Sequence, residues 1–249
     1  MVERRELGQG GRALQHRKRL TSLLDQVLAA HGGREAWEST TEVSAHLHTG
    51  GFALAWKRVH EPFPDYRATI SMDEPRTVIE PYPGAGAKQA GRGIFEGDHV
   101  RIEDDTGATV DGRTDMRRRF PGLRRRLWWD HLDALYFAGY ALWNYFTTPL
   151  LLTRCEIEEH GRTMEATFPP EIPTHSRRQR FHFDEQGLLT RLDYTAEVFG
   201  KWARGRHECR GHRSFDGLVF PTSRRVTLGA LPKPTIIWIE VDDVTCLRQ

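Results

Sequence analysis

Cysteine is scarce in this sequence. Cys155, Cys209 and Cys246 are the only three in 249 residues, widely spaced and without a Cys-x-x-Cys pair, which argues against a disulfide framework or a zinc ribbon. An excess of one charge is missing too. With 36 basic and 34 acidic side chains the net charge is +2, so the chain lacks the global positive field of a nucleic-acid binder. The first twenty residues hold no apolar stretch followed by small residues, so no secretory signal is expected, and together with the few cysteines this predicts a reducing, cytoplasmic setting. No uncharged apolar run reaches the roughly 20 residues of a membrane span. The best candidate, residues 132–152, carries Asp133, Asn144 and two threonines before Pro149, and reads as a buried helix ended by Thr-Thr-Pro. Catalytic signatures are equally sparse. There is no Gly-x-Ser-x-Gly and no Gly-Lys-[Ser/Thr], and the glycine-rich stretches GQGGR and GAGAKQAGRG read as flexible loops. Neither a cofactor nor a metal is implied.

What is present is periodicity. Leu20, Leu23, Leu24, Val27 and Leu28 recur with helical spacing before Gly32 and Gly33, and a second short helix is expected around Glu35 to Trp37. The period then changes to two. A turn across Thr49 and Gly50 would pair His48 with Gly51 and place Val43, Ala45, Leu47, Phe52, Leu54 and Trp56 on one face, with His46 and His48 on the other. His46-x-His48 is a spacing that metal sites use, but the pair reads as a wet strand surface. Tyr66, Ala68, Ile70 and Met72 alternate likewise, and a Gly97-Asp98 turn aligns Phe95 with Val100. Strands, then helices, then strands again predict an α+β fold: a curved antiparallel sheet wrapping helices on its apolar face. The expected layout is one domain over residues 1–249, with a flexible segment at 1–13 and an Arg-rich, helical insert at 114–149.

The stretch RHECRGH, residues 206–212, invites a zinc reading through His207, Cys209 and His212. Register decides against it. An Asp216-Gly217 hairpin pairs Phe215 with Leu218, Cys209 with Arg224 and His207 with Val226. His207 and Cys209 then face inward with Phe220, whereas Glu208, Arg210 and His212 face outward. Two inward ligands are too few for a structural zinc, which takes four. Closing the DEQG turn by pairing Phe183 with Leu188 places Phe181, Phe183, Leu188, Leu192 and Tyr194 on the same inward face. Residues 116–129, MRRRFPGLRRRLWW, crowd Arg117, Arg118, Arg119, Arg124, Arg125 and Arg126 around aromatic residues. Such a segment suits peripheral contact with an anionic membrane, an acidic ligand or a polyanion, or else forms a solvated turn paired with acidic neighbours.

DEQGLLTRLDYTAEV followed by FDGLVFPTSRRV resembles the ending of bacterial lipoprotein-carrier half-barrels, LolA and its relatives. The segments LYFAGYALWNY and IPTHS are also similar to segments of uncharacterised bacterial proteins. The resemblance implies a half-barrel enclosing a hydrophobic ligand cavity. Trp128, Tyr136, Tyr140, Trp143, Phe181, Tyr194, Cys209 and Phe220 are the candidate lining residues for a lipid or other lipophilic small molecule. The alternative expectation is an enzyme that uses the same cavity, with His207 as general acid or base and Arg224 stabilising a developing anion.

Overall fold

Alternating burial along most strands builds one continuous antiparallel sheet. The computed structural model describes residues 22–59, 63–83, 91–120, 125, 127–229 and 234–249. The first meander comprises β1 (Thr40–Gly50), β2 (Tyr66–Ser71), β3 (Arg76–Tyr82), β4 (Gly91–Glu96), β5 (His99–Glu103) and β6 (Thr109–Arg113). The second comprises β7 (Glu156–His160), β8 (Thr163–Thr167), β9 (Arg178–Phe183), β10 (Leu189–Thr195), β11 (Arg204–Phe215), β12 (Leu218–Leu228) and β13 (Ile237–Arg248). Within each, sequence neighbours pair. The meanders join where β1 pairs with β13, giving the order β6-β5-β4-β3-β2-β1-β13-β12-β11-β10-β9-β8-β7. The curved antiparallel α+β sheet inferred from periodicity is the observed fold, in the half-barrel form that the resemblance implies.

Local chemistry explains the registers that agree with expectation. Asp216 and Gly217 both have positive φ, 48° and 83°, the backbone of a tight two-residue hairpin turn. Phe215 therefore pairs with Leu218, Cys209 with Arg224 and His207 with Val226. Phe95 likewise pairs with Val100.

Two turns differ. No hairpin forms across Thr49 and Gly50: β1 runs straight to Gly50 with β2 on one edge and β13 on the other, so neither edge is free to pair with the chain that follows. Gly51, at φ 112°, turns the chain instead, and Ala53 N donates to Ile236 O at 3.0 Å. A short helix, α3 (Ala53–Trp56), replaces the expected strand, leaving Phe52 and Trp56 exposed rather than in the core. At the DEQG turn Asp184 Oδ1 accepts from the amides of Gln186 and Leu188. This lengthens the turn by one residue. Phe183 pairs with Leu189, not Leu188, and an irregularity before Arg191 restores the expected facing of Leu192 and Phe181.

Helices fill the concave face. In α1 (Leu23–Ala30) Leu23, Val27 and Leu28 are buried, and Ser22 caps the first turn by accepting from Asp25 N; Leu20 and residues 1–13 lie outside the described residues. In α2 (Arg34–Ser39) Trp37 packs edge-on against Phe220, 5.5 Å between ring centres. A single turn, α4 (Met116–Arg119), precedes the long α5 (His131–Thr147), which is followed by a 3-10 turn over Leu150–Arg154. Asp130 and Asp133 form a reciprocal capping box at the start of α5. Fifteen of its 17 residues are buried, which marks α5 as a core helix laid into the half-barrel. Gly139 allows the close approach: a β-carbon there would sit 2.3 Å from that of Phe95. Among the described residues no helix is long and apolar enough to cross a membrane.

Candidate functional site

At the centre of the concave face, α5 meets β10, β11, β12 and the IPTHS segment. His175 is buried between two tyrosines, its Nδ1 3.1 Å from Tyr140 Oη and its Nε2 2.7 Å from Tyr145 Oη. A neutral imidazole has one donor and one acceptor nitrogen, so one hydroxyl donates to the ring and the other accepts from it. Tyr194 stacks on the same ring at 4.1 Å. Burial pushes the His175 pKa down to about 3. His207 is also fully buried, edge-on to Tyr145 at 4.7 Å, and neither ring nitrogen meets a hydrogen-bond partner. Burial first, then Arg224 and His175, hold its pKa well below the usual histidine value.

Arg224 is the unusual member of this cluster. Its buried guanidinium donates to Cys209 Sγ and to Tyr145 O, both at 3.4 Å, and lies 4.8 Å from the Tyr145 ring. Nε has no partner, and among the described residues no carboxylate lies within ion-pair reach. A buried cation with only weak neutral partners carries a large desolvation cost.

Two apolar cavities lie between α5 and the sheet. The larger is walled by Thr49, Leu54, Tyr66, Ala141, Leu142 and Tyr145 and leaves about 40 Å³ free, space for a few water-sized groups. The smaller leaves about 20 Å³ and reaches Trp56 and Trp202. They share Phe137, Tyr194, Val226 and Ile237. Leu54 of α3 walls the first and Ala53 and Trp56 the second, so the helical turn that replaced the expected strand contributes to both. Trp56 and Trp202 are 58% and 59% exposed and face each other at 5.8 Å, placing two large apolar rings where the cavity chain meets solvent. At the inner end, Tyr145 also walls a third small cavity with Arg224, Asn144, Gln179 and Phe181.

Of the residues expected to line a cavity, Tyr194 lines both apolar ones and Phe181 the third. Tyr136 packs between Phe95 and Phe120, Tyr140 holds His175, and Trp143 donates to Ser71 O. Phe220 is wedged between Trp37 and Phe146, Cys209 lies against Arg224, and Trp128 stands half-exposed beside Arg58. His207 lines none of these three cavities, so it and Arg224 do not share one. Sequence reasoning did not single out Tyr145 or Trp202, put Trp56 on the inward face of a strand, and drew nothing from His175 beside Ser176. Tyr145 was visible as part of a largely apolar helix, but no period marks a loop histidine such as His175.

The RHECRGH strand needs one correction. His207 and Cys209 point inward, and Arg210 pairs with Glu208 outside at 2.6 Å. His212, expected outside, is half-buried, with its ring edge-on to His31 at 6.1 Å. Register is unbroken from Arg210 to His212, but Gly211 at φ 67° swings the strand toward the end of α1. His207, Cys209 and His212 do not form a metal-binding group.

The arginines separate as well. Arg125 is buried, its Nε 2.5 Å from Asp133 Oδ1, and cannot serve a surface. Arg113 Nη1 reaches the same oxygen at 3.0 Å. Lys57 donates to Arg125 O and lies over the rings of Trp129 and Phe199. Arg117, Arg118 and Arg119 are exposed, Arg117 also donating to the carbonyls of Pro170 and Ile172. Arg124 and Arg126 lie outside the described residues.

No protein-family model and no curated protein matches the sequence. Among solved structures the chain is similar to a LolA superfamily protein of Nitrosomonas europaea, at 12% identity and a TM-score of 0.46 over 91% of this chain and 92% of that one. It is similar to a DUF1329 family protein of Desulfovibrio piger at 11% identity and a TM-score of 0.38, covering 90% and 91%. The Mycobacterium tuberculosis lipoprotein LppX gives 11% identity and a TM-score of 0.29, covering 90% and 93%.

Proposed function

We propose that the protein binds a lipophilic small molecule with an anionic end between α5 and the sheet. The observation that carries this reading is the chain of apolar cavities running from the exposed Trp56–Trp202 pair to Tyr145, beyond which lies the buried guanidinium of Arg224, held by neutral groups with no carboxylate partner among the described residues. Apolar walls with a few placed polar groups are what such a ligand requires, although pockets for drug-sized molecules run to roughly 300–1,000 Å³. The free space is far smaller, so binding requires α3 and Trp202 to move apart. An anionic head at Arg224 offsets the cost of its burial, and an alkyl body replaces the contacts that the cavity walls lack. Arg117, Arg118 and Arg119 form an exposed basic patch suited to peripheral contact with an anionic membrane from which such a ligand is taken.

The test is titration of the full chain with a fluorescent long-chain fatty acid and with the matching alcohol. One-to-one saturable binding of the acid is expected. Ala141→Phe, which fills the larger cavity, weakens binding of both probes at least about tenfold, equivalent to ~1.4 kcal/mol. Arg224→Met weakens the acid selectively. Absence of saturable binding, or affinity indifferent to Ala141→Phe in a variant that keeps the parent circular dichroism spectrum, overturns the reading.

A further inference from the structure

The convex face carries a separate concentration of chemistry where β1 meets β13. His46 and His48 leave β1 on the outward side two residues apart, and their ring centres lie 5.2 Å from each other. β13 supplies a carboxylate through a break in register. His46 pairs with Asp243 and Leu47 with Val241, so Asp242 is the extra residue of a β-bulge. Bulges re-aim side chains, and here both Asp242 and Asp243 are exposed. Asp242 Oδ2 lies 2.8 Å from His48 Nε2 and 3.6 Å from His46 Nδ1. One ligand atom from each of the three residues lies within 4.8 Å of the others.

The far sides of the rings settle the protons. His48 Nδ1 is 3.1 Å from Pro64 O, which only accepts, so Nδ1 bears hydrogen. His46 Nε2 donates to Asp65 Oδ1 at 2.7 Å. In the neutral rings, the lone pairs of His46 Nδ1 and His48 Nε2 therefore both turn toward the carboxylate of Asp242. Three acceptors converging in this way call for a cation among them, either an added proton or a metal ion. Metal-bound histidines typically donate their other ring N–H to a carboxylate or a backbone carbonyl, and both histidines have such a partner here.

We infer that His46, His48 and Asp242 form a binding site for a divalent transition-metal ion such as zinc, with Asp65 and the Pro64 carbonyl orienting the imidazoles. Two imidazoles and a carboxylate suit zinc, copper or nickel better than magnesium or calcium, which take oxygen ligands. Three protein ligands leave a tetrahedral ion one position for water. The side chains of His46, His48 and Asp242 are 34%, 33% and 51% exposed, so an ion reaches them directly from solvent. A bound ion ties the first strand of one meander to the last strand of the other. The site faces away from the cavities and stands or falls independently of what they bind.

Untagged full-length protein titrated with zinc chloride by calorimetry tests this. One zinc per chain is expected, and cobalt in its place should give the visible absorption of a four- or five-coordinate ion. His46→Ala and Asp242→Asn each weaken zinc at least about tenfold, and Asp65→Asn weakens it about 10- to 100-fold while stoichiometry stays at one. His160→Gln, at an exposed histidine on β7, leaves affinity unchanged. The inference is overturned by zinc binding that does not saturate near one equivalent, or by affinity indifferent to His46→Ala and Asp242→Asn. Should a variant lose the parent circular dichroism spectrum, the wild-type cobalt spectrum decides: bands of octahedral aqueous cobalt alone overturn it.

Discussion

His31, His175, His207 and His212 share one electrostatic situation: burial lowers the pKa of each, to about 4 for His31 and about 3 for His175. In the unfolded chain each titrates near 6.5. Between 6.5 and the folded value the unfolded chain binds more protons than the folded one, so stability falls as pH falls, by about 1.4 kcal/mol per pH unit for each of the deeply buried His31, His175 and His207 in its window and by less for half-buried His212, where solvent screens the charge. The window closes near pH 4 for His31 and near pH 3 for His175. His48 runs the other way: its bond to Asp242 raises its pKa, so its contribution is full below pH 6.5 and is lost as pH rises through the folded value. Urea midpoints are therefore expected to fall steeply between pH 6.5 and 5, and His207→Leu should flatten that fall. The same substitution removes two unpartnered buried nitrogens, so at pH 7.5 it should raise stability by about 1 kcal/mol. A loss of stability at pH 7.5 would show that the His207 nitrogens have partners after all.

Among the elements, α5 depends on Asp133. This fully buried carboxylate completes the capping box and receives both Arg113 and Arg125. Arg125 is itself buried, so removing the carboxylate leaves its charge in the core with, among the described residues, only the Arg119 carbonyl and the Phe120 ring beside it. Asp133→Ala is expected to cost about 3–5 kcal/mol, read from urea unfolding at pH 7.5. Asp130→Ala should cost less, because Asp130 is partly exposed and Asp133 still answers Arg113. Equal losses in the two variants would mean that the cap, and not the buried charge, governs the helix.

For the whole molecule, the seam between β1 and β13 joins strands from opposite ends of the described chain. Strand pairing over such a separation pays a large loop-closure entropy, and folding should be correspondingly slow. The sheet ends in β6 and β7, each five residues long and facing solvent on nearly every side chain. Short polar edges of this kind resist further strand addition. Hydrogen exchange followed by mass spectrometry should find the amides of β6 and β7 exchanging fastest and those of β1 and β13 slowest. Fast exchange at the seam would show that the two meanders open independently.

How much was readable in advance depended on how local the cause was. Period-two burial, the Asp216-Gly217 turn and the apolar run of α5 act over a few residues, so they gave the fold class, the register of β11 against β12 and the inward facing of His207 and Cys209 from sequence alone. The pairing of β1 with β13 left no free edge for a hairpin at Gly50, and nothing near Gly50 in the chain encodes that. The Asp242 bulge and the bridging of two tyrosines by His175 join segments far apart in sequence, and Arg125 meets Asp133 across a stretch of chain that carries no period. For those features the amino-acid sequence supplied the side chains, and only tertiary structure decided which of them meet, because pattern reports which way a residue faces and not what it faces.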